Sequence, residues 1–221
     1  MLGIEDLHPP TIRGTMRDPQ ADTVPNTTIT LFRDPTGSDP VARRVDDTTT
    51  DKDGRFELPL TEVPLDGYFE MTVPAYLHTF SHLIKPVVTE HEDPEEHEII
   101  TLNAQGLRRL ASDISTTQDP TAWLVLAKVI DADGTPLPGA TVHAEVGDPP
   151  VAVQLICYTT EDTGLPCHTG TTTSDGRAWL FNIPETSSLT ITAVDAAGHP
   201  HTISFPIVAG PGVVSTPVPP P

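Results

Sequence analysis

The chain has few aromatic residues, few basic residues and only two cysteines, and it has no long apolar stretch. Because a membrane-spanning helix needs about 18 or more apolar residues in a row, the sequence predicts no membrane span. Lys and Arg total 12 against 31 Asp and Glu, which gives a formal net charge of −19. A field of this sign repels phosphate backbones and anionic lipid headgroups, and this argues against nucleic acid as a partner.

The N-terminal sequence MLGIEDLHPP has neither the basic region nor the apolar region of a secretion signal. The protein is therefore either cytosolic or the product of leader removal. Cys157 and Cys167 bear on this choice, because they bracket a single loop that contains Gly and Pro. We predict a disulfide between them, which implies an oxidising compartment; two inert core thiols are the alternative. The predicted location is extracellular, periplasmic or on the cell surface.

What the sequence does contain is a repeated pattern. VIDADGTPLPGATVHAEV (129–146) is followed by TTTSDGRAWLFNIP (171–184), and IRGTMRDPQADTVPNTTITLF (12–32) is followed by TTTDKDGRFELPLTEVP (48–64). Each pair of segments alternates apolar and polar residues and carries an Asp-Gly turn, which is typical of half-buried strands joined by tight turns. The sequence therefore predicts an all-β chain, built as two tandem β-sandwiches joined by a short helix.

The predicted boundaries follow from this pattern. The helix is indicated by Leu107, Leu110, Ala111 and Ile114 on one face, with Asn103 as its N-cap. The tail is rich in Pro and is expected to be extended and similar to polyproline II. The predicted segments are an N-terminal arm (1–10), a first sandwich (11–102), a helical linker (103–120), a second sandwich (121–209) and the tail (210–221).

The motif V-x-D-x-x-G-x-P-L-x-G-A-x-V at 129–142, with Asp175-Gly176-Arg177 and Ile183-Pro184 after it, resembles the carboxypeptidase regulatory-like family. The first half fits through Asp53-Gly54, but Pro25-Asn26 replaces the Gly-Ala pair of the motif. The resemblance implies two transthyretin-like (prealbumin-like) Greek-key sandwiches without catalytic residues. The order of parts, with Gly-Leu-Pro at 164–166, also resembles uncharacterised secreted or surface proteins of myxobacteria and their relatives.

Several aspartates, cysteines and histidines are candidates for binding a metal or a cofactor. Asp51-Lys52-Asp53-Gly54 and Asp131-Ala132-Asp133-Gly134 could supply oxygens to calcium, but the later ligands of a calcium loop are missing, which favours a turn. Haem attachment through Cys157 and Cys167-His168 departs from the usual spacing. A transition metal has weak candidate ligands, but none of the tidy ligand spacings of known sites. These candidates are His78, His82, His199 and His201.

We therefore expect a non-catalytic, exported protein that acts as a surface or extracellular binding or structural module, without a cofactor. The expected partner is a protein or a cell-envelope glycan, with self-association through edge strands as a further route. The loops Arg33–Asp47 and Cys157–Cys167 are the expected contact regions, since the fold does not require them. The alternatives are a subunit of a larger assembly such as a filament, and a metal-dependent enzyme that uses the histidines.

Overall fold

The computed structural model describes residues 11–18, 22–33, 44–59, 67–83, 96–159, 167–207 and 212–220. These residues form strands and one ten-residue helix, α1, which is too short to cross a bilayer. The all-β prediction is confirmed. In chain order the elements are β1 (Thr11–Arg17), β2 (Thr28–Arg33), β3 (Arg44–Thr49), β4 (Arg55–Pro59), β5 (Gly67–Met71), β6 (Thr79–Leu83), β7 (Glu96–Ile100), α1 (Ala104–Asp113), β8 (Trp123–Val129), β9 (Thr141–Val146), β10 (Val151–Ala152), β11 (Ile156–Thr159), β12 (Cys167–His168), β13 (Arg177–Ile183), β14 (Thr186–Val194), β15 (Pro200–Ile207) and β16 (Val213–Val218).

Three sheets are formed by the described strands. The largest has the order β12-β11-β13-β8-β16-β6-β5-β2-β3 and therefore takes strands from both halves of the chain. A three-stranded sheet, β4-β1-β7, belongs to the first half, and a four-stranded sheet, β10-β9-β14-β15, belongs to the second. The two halves repeat the same strand orders. The order β4-β1-β7 of the first half corresponds to β13-β8-β16 of the second, and β6-β5-β2 corresponds to β15-β14-β9. In both halves the first described strand pairs in parallel with the last, β1 with β7 and β8 with β16, and the other described pairs inside each half are antiparallel.

The two smaller sheets pack on opposite faces of the large sheet. Neighbouring residues of β5 show this, because Phe69 lies in the core under the three-stranded sheet and Tyr68 in the core that includes the four-stranded sheet. A third core lies under α1, where the buried side chains of Leu124 and Trp179 meet Leu110. The large sheet is therefore the shared centre of the molecule, with apolar packing on both faces.

Strand β16 joins the two halves. It pairs in parallel with β8 along six residues and with β6 through Val213–Ser215. The prediction of a polyproline-like tail over 210–221 is therefore wrong for residues 213–218, although the backbone there is extended as expected. Pro217 is compatible with a central strand because of the direction in which its missing N–H would point. Val213, four residues earlier, donates its N–H to the His78 carbonyl, on the side of β6. By alternation the missing N–H of Pro217 faces that same side, beyond the last pair with β6.

Helix α1 begins and packs as the sequence predicts. The Asn103 side chain accepts a hydrogen bond from the Gly106 N–H at 2.8 Å, which satisfies one of the free donors of the first turn. Leu110 and Ala111 are buried, and Leu107 and Ile114 pack at the edge of the same core. The helix therefore covers one face of the second-half strands β8 and β13.

In the first half, a set of hydrogen bonds joins the end of β1, the segment before β2 and the turn between β3 and β4. The Met16 N–H donates to the Gly54 carbonyl at 2.8 Å, and the Val24 N–H donates to the Met16 carbonyl at 3.0 Å. The Thr50 hydroxyl donates to the Val24 carbonyl at 2.9 Å and accepts from the Thr27 N–H at 2.9 Å. The Thr50 N–H in turn donates to the Thr27 carbonyl at 2.9 Å.

The second half contains the same set of bonds. The Val129 N–H donates to the Gly176 carbonyl at 2.8 Å, and the Leu137 N–H donates to the Val129 carbonyl at 2.9 Å. The Thr172 hydroxyl donates to the Leu137 carbonyl at 2.7 Å and accepts from the Ala140 N–H at 2.8 Å. The Thr172 N–H donates to the Ala140 carbonyl at 2.9 Å.

This correspondence corrects the motif alignment in the first half. Asn26 and Gly139 both have positive φ, at 56° and 78°, and each donates its N–H to the carbonyl of the buried threonine. Asn26 and Thr27 therefore occupy the places of Gly139 and Ala140, one residue later than the Pro25-Asn26 pair predicted from the sequence. Asn is one of the few residues other than Gly that adopt this conformation readily.

Candidate functional site

A polar cluster surrounds Asp195, in the turn between β14 and β15. One carboxylate oxygen, Oδ1, accepts the N–H groups of Ala197 at 2.9 Å and His199 at 2.8 Å. The other, Oδ2, lies 3.2 Å from His199 Nδ1 and 3.5 Å from His201 Nε2. The main-chain donor of His199, more than the two imidazoles, lowers the pKa of Asp195 to about 2. Asp195 is therefore ionised at neutral pH and holds the turn.

The structure brings His199 and His201 to the same carboxylate but places them differently. His199 is exposed, whereas His201 is buried and its Nδ1 has no hydrogen-bond partner among the described residues. Within the part of the chain that the structure describes, no group of three or more His, Cys, Asp or Glu side chains could hold a metal ion. The Asp195 carboxylate therefore stabilises the turn, and the buried His201 imidazole lies beside it.

His78 immediately precedes β6, and His82 lies in β6 of the large sheet. His199 lies in the turn before β15, and His201 lies in β15 of the four-stranded sheet. His78 Nε2 is 2.7 Å from Glu70 Oε1, and its ring lies 4.5 Å from the ring of Phe80. The main chain of His82 pairs with Tyr68, and its side chain lies outside the described part. Of the four candidate ligands, the structure brings together only His199 and His201 among those whose side chains it describes.

Cys157 and Cys167 form the predicted disulfide, with their Cα atoms 5.5 Å apart on β11 and β12. Both cysteines are buried in the core under α1, and Asp113 of that helix accepts the N–H of Cys167 at 3.0 Å. Because both sulfurs take part in this bond, neither is a free thiol for haem attachment, which the spacing in the sequence already disfavours. The residues between the two strands (160–166) and those of the other candidate contact loop (34–43) lie outside the described residues.

The Asp-Gly corners act as turns. Oδ1 of Asp51 accepts the N–H groups of Asp53 and Arg55, and the Asp51 carbonyl accepts from Gly54. Asp131 makes the same three bonds in its own turn. The turn at Asp195 is a third copy that the sequence reasoning missed. Its signal is Asp three residues before Gly, which all three turns share.

The outer face of the four-stranded sheet carries a groove of about 320 Å³. Period-two alternation along β9 already indicates that His143 and Glu145 point outward. Neighbouring strands add a row of hydroxyl groups, in which Ser204 Oγ lies 3.1 Å from Thr190 Oγ1 and 3.2 Å from Ser188 Oγ. The groove therefore offers hydrogen-bond donors and acceptors with a single carboxylate. Its lining is His143, Ala144, Glu145, Ala152, Val153, Thr190 and Thr192.

One ionic cluster links the two halves. Glu98 of β7 contacts Arg177 of β13 at 2.6 Å and Lys128 of β8 at 3.5 Å. Burial alone would raise the pKa of Glu98, but Arg177 and Lys128 together hold it below its ordinary value. The contact joins strands from the two halves, so we assign it a structural role.

No family model and no curated protein matches the chain. Among solved structures it is similar to the TIE protein of Bacillus anthracis, at 15% identity and a TM-score of 0.31, over 95% of this chain and 34% of that one. It is also similar to the shaft pilin SpaA of Lactobacillus rhamnosus GG, at 11% identity and a TM-score of 0.32, over 96% and 98% of the two chains. The major pilin subunit BcpA of Bacillus cereus matches at 9% identity and a TM-score of 0.33, over 95% and 98%. At these values the similarity carries no argument about what this chain binds or does.

Proposed function

We propose that the protein is an exported, non-catalytic β-sandwich protein that works as a binding or structural module at the cell surface or outside the cell. The disulfide between Cys157 and Cys167 carries this proposal. Disulfides persist in oxidising compartments and are rare in the cytosol of most organisms. This one is buried against α1, so it belongs to the core of the fold.

The repeated hydrogen bonds support a tandem origin for the two halves. Each half places a buried threonine, Thr50 or Thr172, at the same point between two strands, with a positive-φ glycine four residues later. These are the positions that carry the resemblance to the carboxypeptidase regulatory-like family. We propose that both halves are members of that family with a transthyretin-like fold, and that β16 completes the second.

The non-catalytic role is supported by what the polar side chains already do. Asp195 holds a turn, Glu98 joins the two halves, and Glu70 contacts His78. The groove beside His143 and Glu145 is the described surface best suited to a partner with many hydroxyl or amide groups. A cell-envelope glycan or a protein surface has this chemistry.

Protease accessibility on intact cells, with thiol labelling, tests the proposal. We expect external protease to degrade the protein, and we expect no thiol to react with a maleimide in denaturant until a reductant is added. A cytosolic marker protein must survive the same protease treatment. Recovery of the protein only in the cytosolic fraction, with both thiols reactive before reduction, would overturn the proposed compartment.

Binding is tested separately with the purified chain on cell-envelope extracts. We expect Glu145→Lys, which reverses the single carboxylate of the groove, to weaken retention several-fold. Glu57→Lys, an exposed carboxylate on the three-stranded sheet, is the matched control. Equal retention of both variants and the natural chain would remove the groove from the proposal.

A further inference from the structure

Strand β15 is an unusual edge in a strongly acidic protein. It lies at the end of the four-stranded sheet, where β14 is its only partner among the described strands. Its sequence, PHTISFPI, contains no Asp, Glu, Lys or Arg. The other described edge strands carry charge or are short: β3 (RVDDTT), β4 (RFELP), β7 (EHEII), and the two-residue β10 and β12. Exposed edges are usually protected by charge, shortness or proline. β15 is neither charged nor short, and its prolines stand near its two ends, so the segment between Pro200 and Pro206 is the part of this edge that is open to another strand.

The hydrogen-bonding direction of each β15 residue follows from the turn before it. The Asp195 N–H donates to the His199 carbonyl, so residue 199 faces β14. By alternation residues 201, 203 and 205 also face β14, and residues 200, 202, 204 and 206 face outward. Two of these four outward positions are Pro200 and Pro206, which have no N–H to leave unpaired.

The spacing of these prolines is self-complementary. When a second β15 runs antiparallel to the first with residue 203 opposite residue 203, Pro200 faces Pro206 and Thr202 faces Ser204. Each Thr202–Ser204 pair then exchanges both N–H···O bonds, while the proline pairs at the two ends contribute no donor. We propose that two copies of this chain associate through β15 in this register, which makes one continuous sheet from the two four-stranded sheets.

The side chains fit the same arrangement. Ile203 is only partly buried and packs at the rim of the second-half core. In the proposed register it lies on the twofold axis, in a pair without main-chain bonds, where facing side chains approach most closely. Two partly exposed isoleucines would thus bury each other. On the opposite face Thr202 and Ser204 extend the row of hydroxyl groups across the contact.

The molecule already contains one contact of a related kind. Strand β6 has the same place in the first half as β15 has in the second, and its edge accepts β16 in parallel. The contact through β15 is short and lies at the small end of protein interfaces, so we expect a dimer that depends on concentration. A role for this dimer in the cell rests on the structural function proposed above. The dimer itself can be tested with the purified chain alone.

Sedimentation equilibrium of the full chain over a wide concentration range tests the contact. We expect the natural chain and Thr202→Val, which keeps the main-chain N–H, to shift from monomer to dimer as concentration rises. Thr202→Pro removes an outward N–H and should stay monomeric, with an unchanged circular dichroism spectrum. A natural chain that is monomeric throughout, or a Thr202→Pro variant that dimerises equally well, overturns the proposal.

Disulfide trapping tests the register. The described chain has no free cysteine, so Ile203→Cys adds a single thiol on the predicted twofold axis. Mild oxidation should convert this variant to a covalent dimer much faster than the matched variant Thr190→Cys on the neighbouring strand. Dimers without faster trapping at 203, or open-ended oligomers, would mean that another surface is used and would refute the β15 contact. None of these outcomes bears on the compartment, which the cell experiments decide.

Discussion

Two glycines that both have a positive φ differ in how much space surrounds them. Gly176 has a φ of 67°, and a Cβ built on it would lie 2.5 Å from the Val129 carbonyl oxygen. Gly198 has a φ of 89°, but a Cβ there would meet nothing within 4 Å. The pair therefore separates the cost of an unfavourable backbone conformation from the cost of a steric clash.

We predict that Gly198→Ala lowers the free energy of unfolding by about 1–2 kcal/mol, the ordinary cost of a left-handed residue with a side chain. Gly176→Ala should cost about 3 kcal/mol or more, because the added methyl must also displace a hydrogen-bonded strand. Urea unfolding of the two variants measures both values. Equal losses would mean that the close packing at Gly176 has no energetic weight.

Asp195 makes the stability of the fold depend on acid pH. Its pKa is 3.8 ordinarily and about 2 in the folded chain. A carboxyl with a lowered pKa stabilises the fold at pH above its ordinary value and loses that contribution as pH falls toward its folded value. Asp195→Asn keeps the Oδ1 acceptor of the turn but has no titrating group.

We therefore predict that the free energy of unfolding falls less steeply between about pH 4 and pH 2 in Asp195→Asn than in the natural chain. Urea titrations at several pH values give the two slopes. Asp133→Asn, in another turn, serves as a control for the general effect of removing one negative charge. Parallel pH profiles for the natural chain and Asp195→Asn would contradict the assigned role.

Strand β16 depends on where its N–H groups point. The N–H of Thr216 faces β8, whereas the missing N–H of Pro217 faces the side where pairing with β6 has ended. We predict that Thr216→Pro destabilises the protein by about 3 kcal/mol or more, through a lost ladder bond in a buried strand. Pro217→Ala should change the free energy of unfolding by less than about 1 kcal/mol.

Thermal unfolding followed by circular dichroism compares these two variants. A Thr216→Pro variant as stable as the natural chain would mean that β16 does not form the ladder with β8. A large loss in Pro217→Ala would instead show that the proline stiffens the strand beyond its hydrogen bonding.

Element by element, the sequence predicts those parts of the fold whose signals are local. Alternation predicts β9, the helical spacing of Leu107 and Leu110 predicts α1, and the two cysteines on either side of one loop predict their disulfide. β16 was missed because its prolines indicate polyproline structure unless the neighbouring strands are known. The Asp195 turn was missed because it lacks the Asp-Gly dipeptide. The groove and the edge at β15 need the sheet order, which no local pattern contains.

At the scale of the whole molecule, Glu98 and β16 link the two halves. We predict that Glu98→Gln lowers the free energy of unfolding by about 1–2 kcal/mol, less than the loss for a fully buried pair, because its side chain is 30% exposed. Arg177, which is 15% exposed, would be left without its closest carboxylate contact. Glu57→Gln removes an exposed pair with Arg13 and should have almost no effect.

Calorimetry provides the measurement. We expect a single unfolding transition in the natural chain, since the shared sheet couples the halves, and a lower midpoint in Glu98→Gln. Two separate transitions in the natural chain would mean that the halves unfold independently and that the contacts between them are energetically minor.

The position of β16 also sets an order of events during synthesis. Its partner β8 leaves the ribosome early in the second half of the chain, and the gap beside it stays open until residues 213–218 follow. Until then the edges of β6 and β8 that pair with β16 lack that partner, and the native nine-stranded sheet cannot form. The large sheet can therefore be completed only after β16, the last of the described elements, has been synthesised.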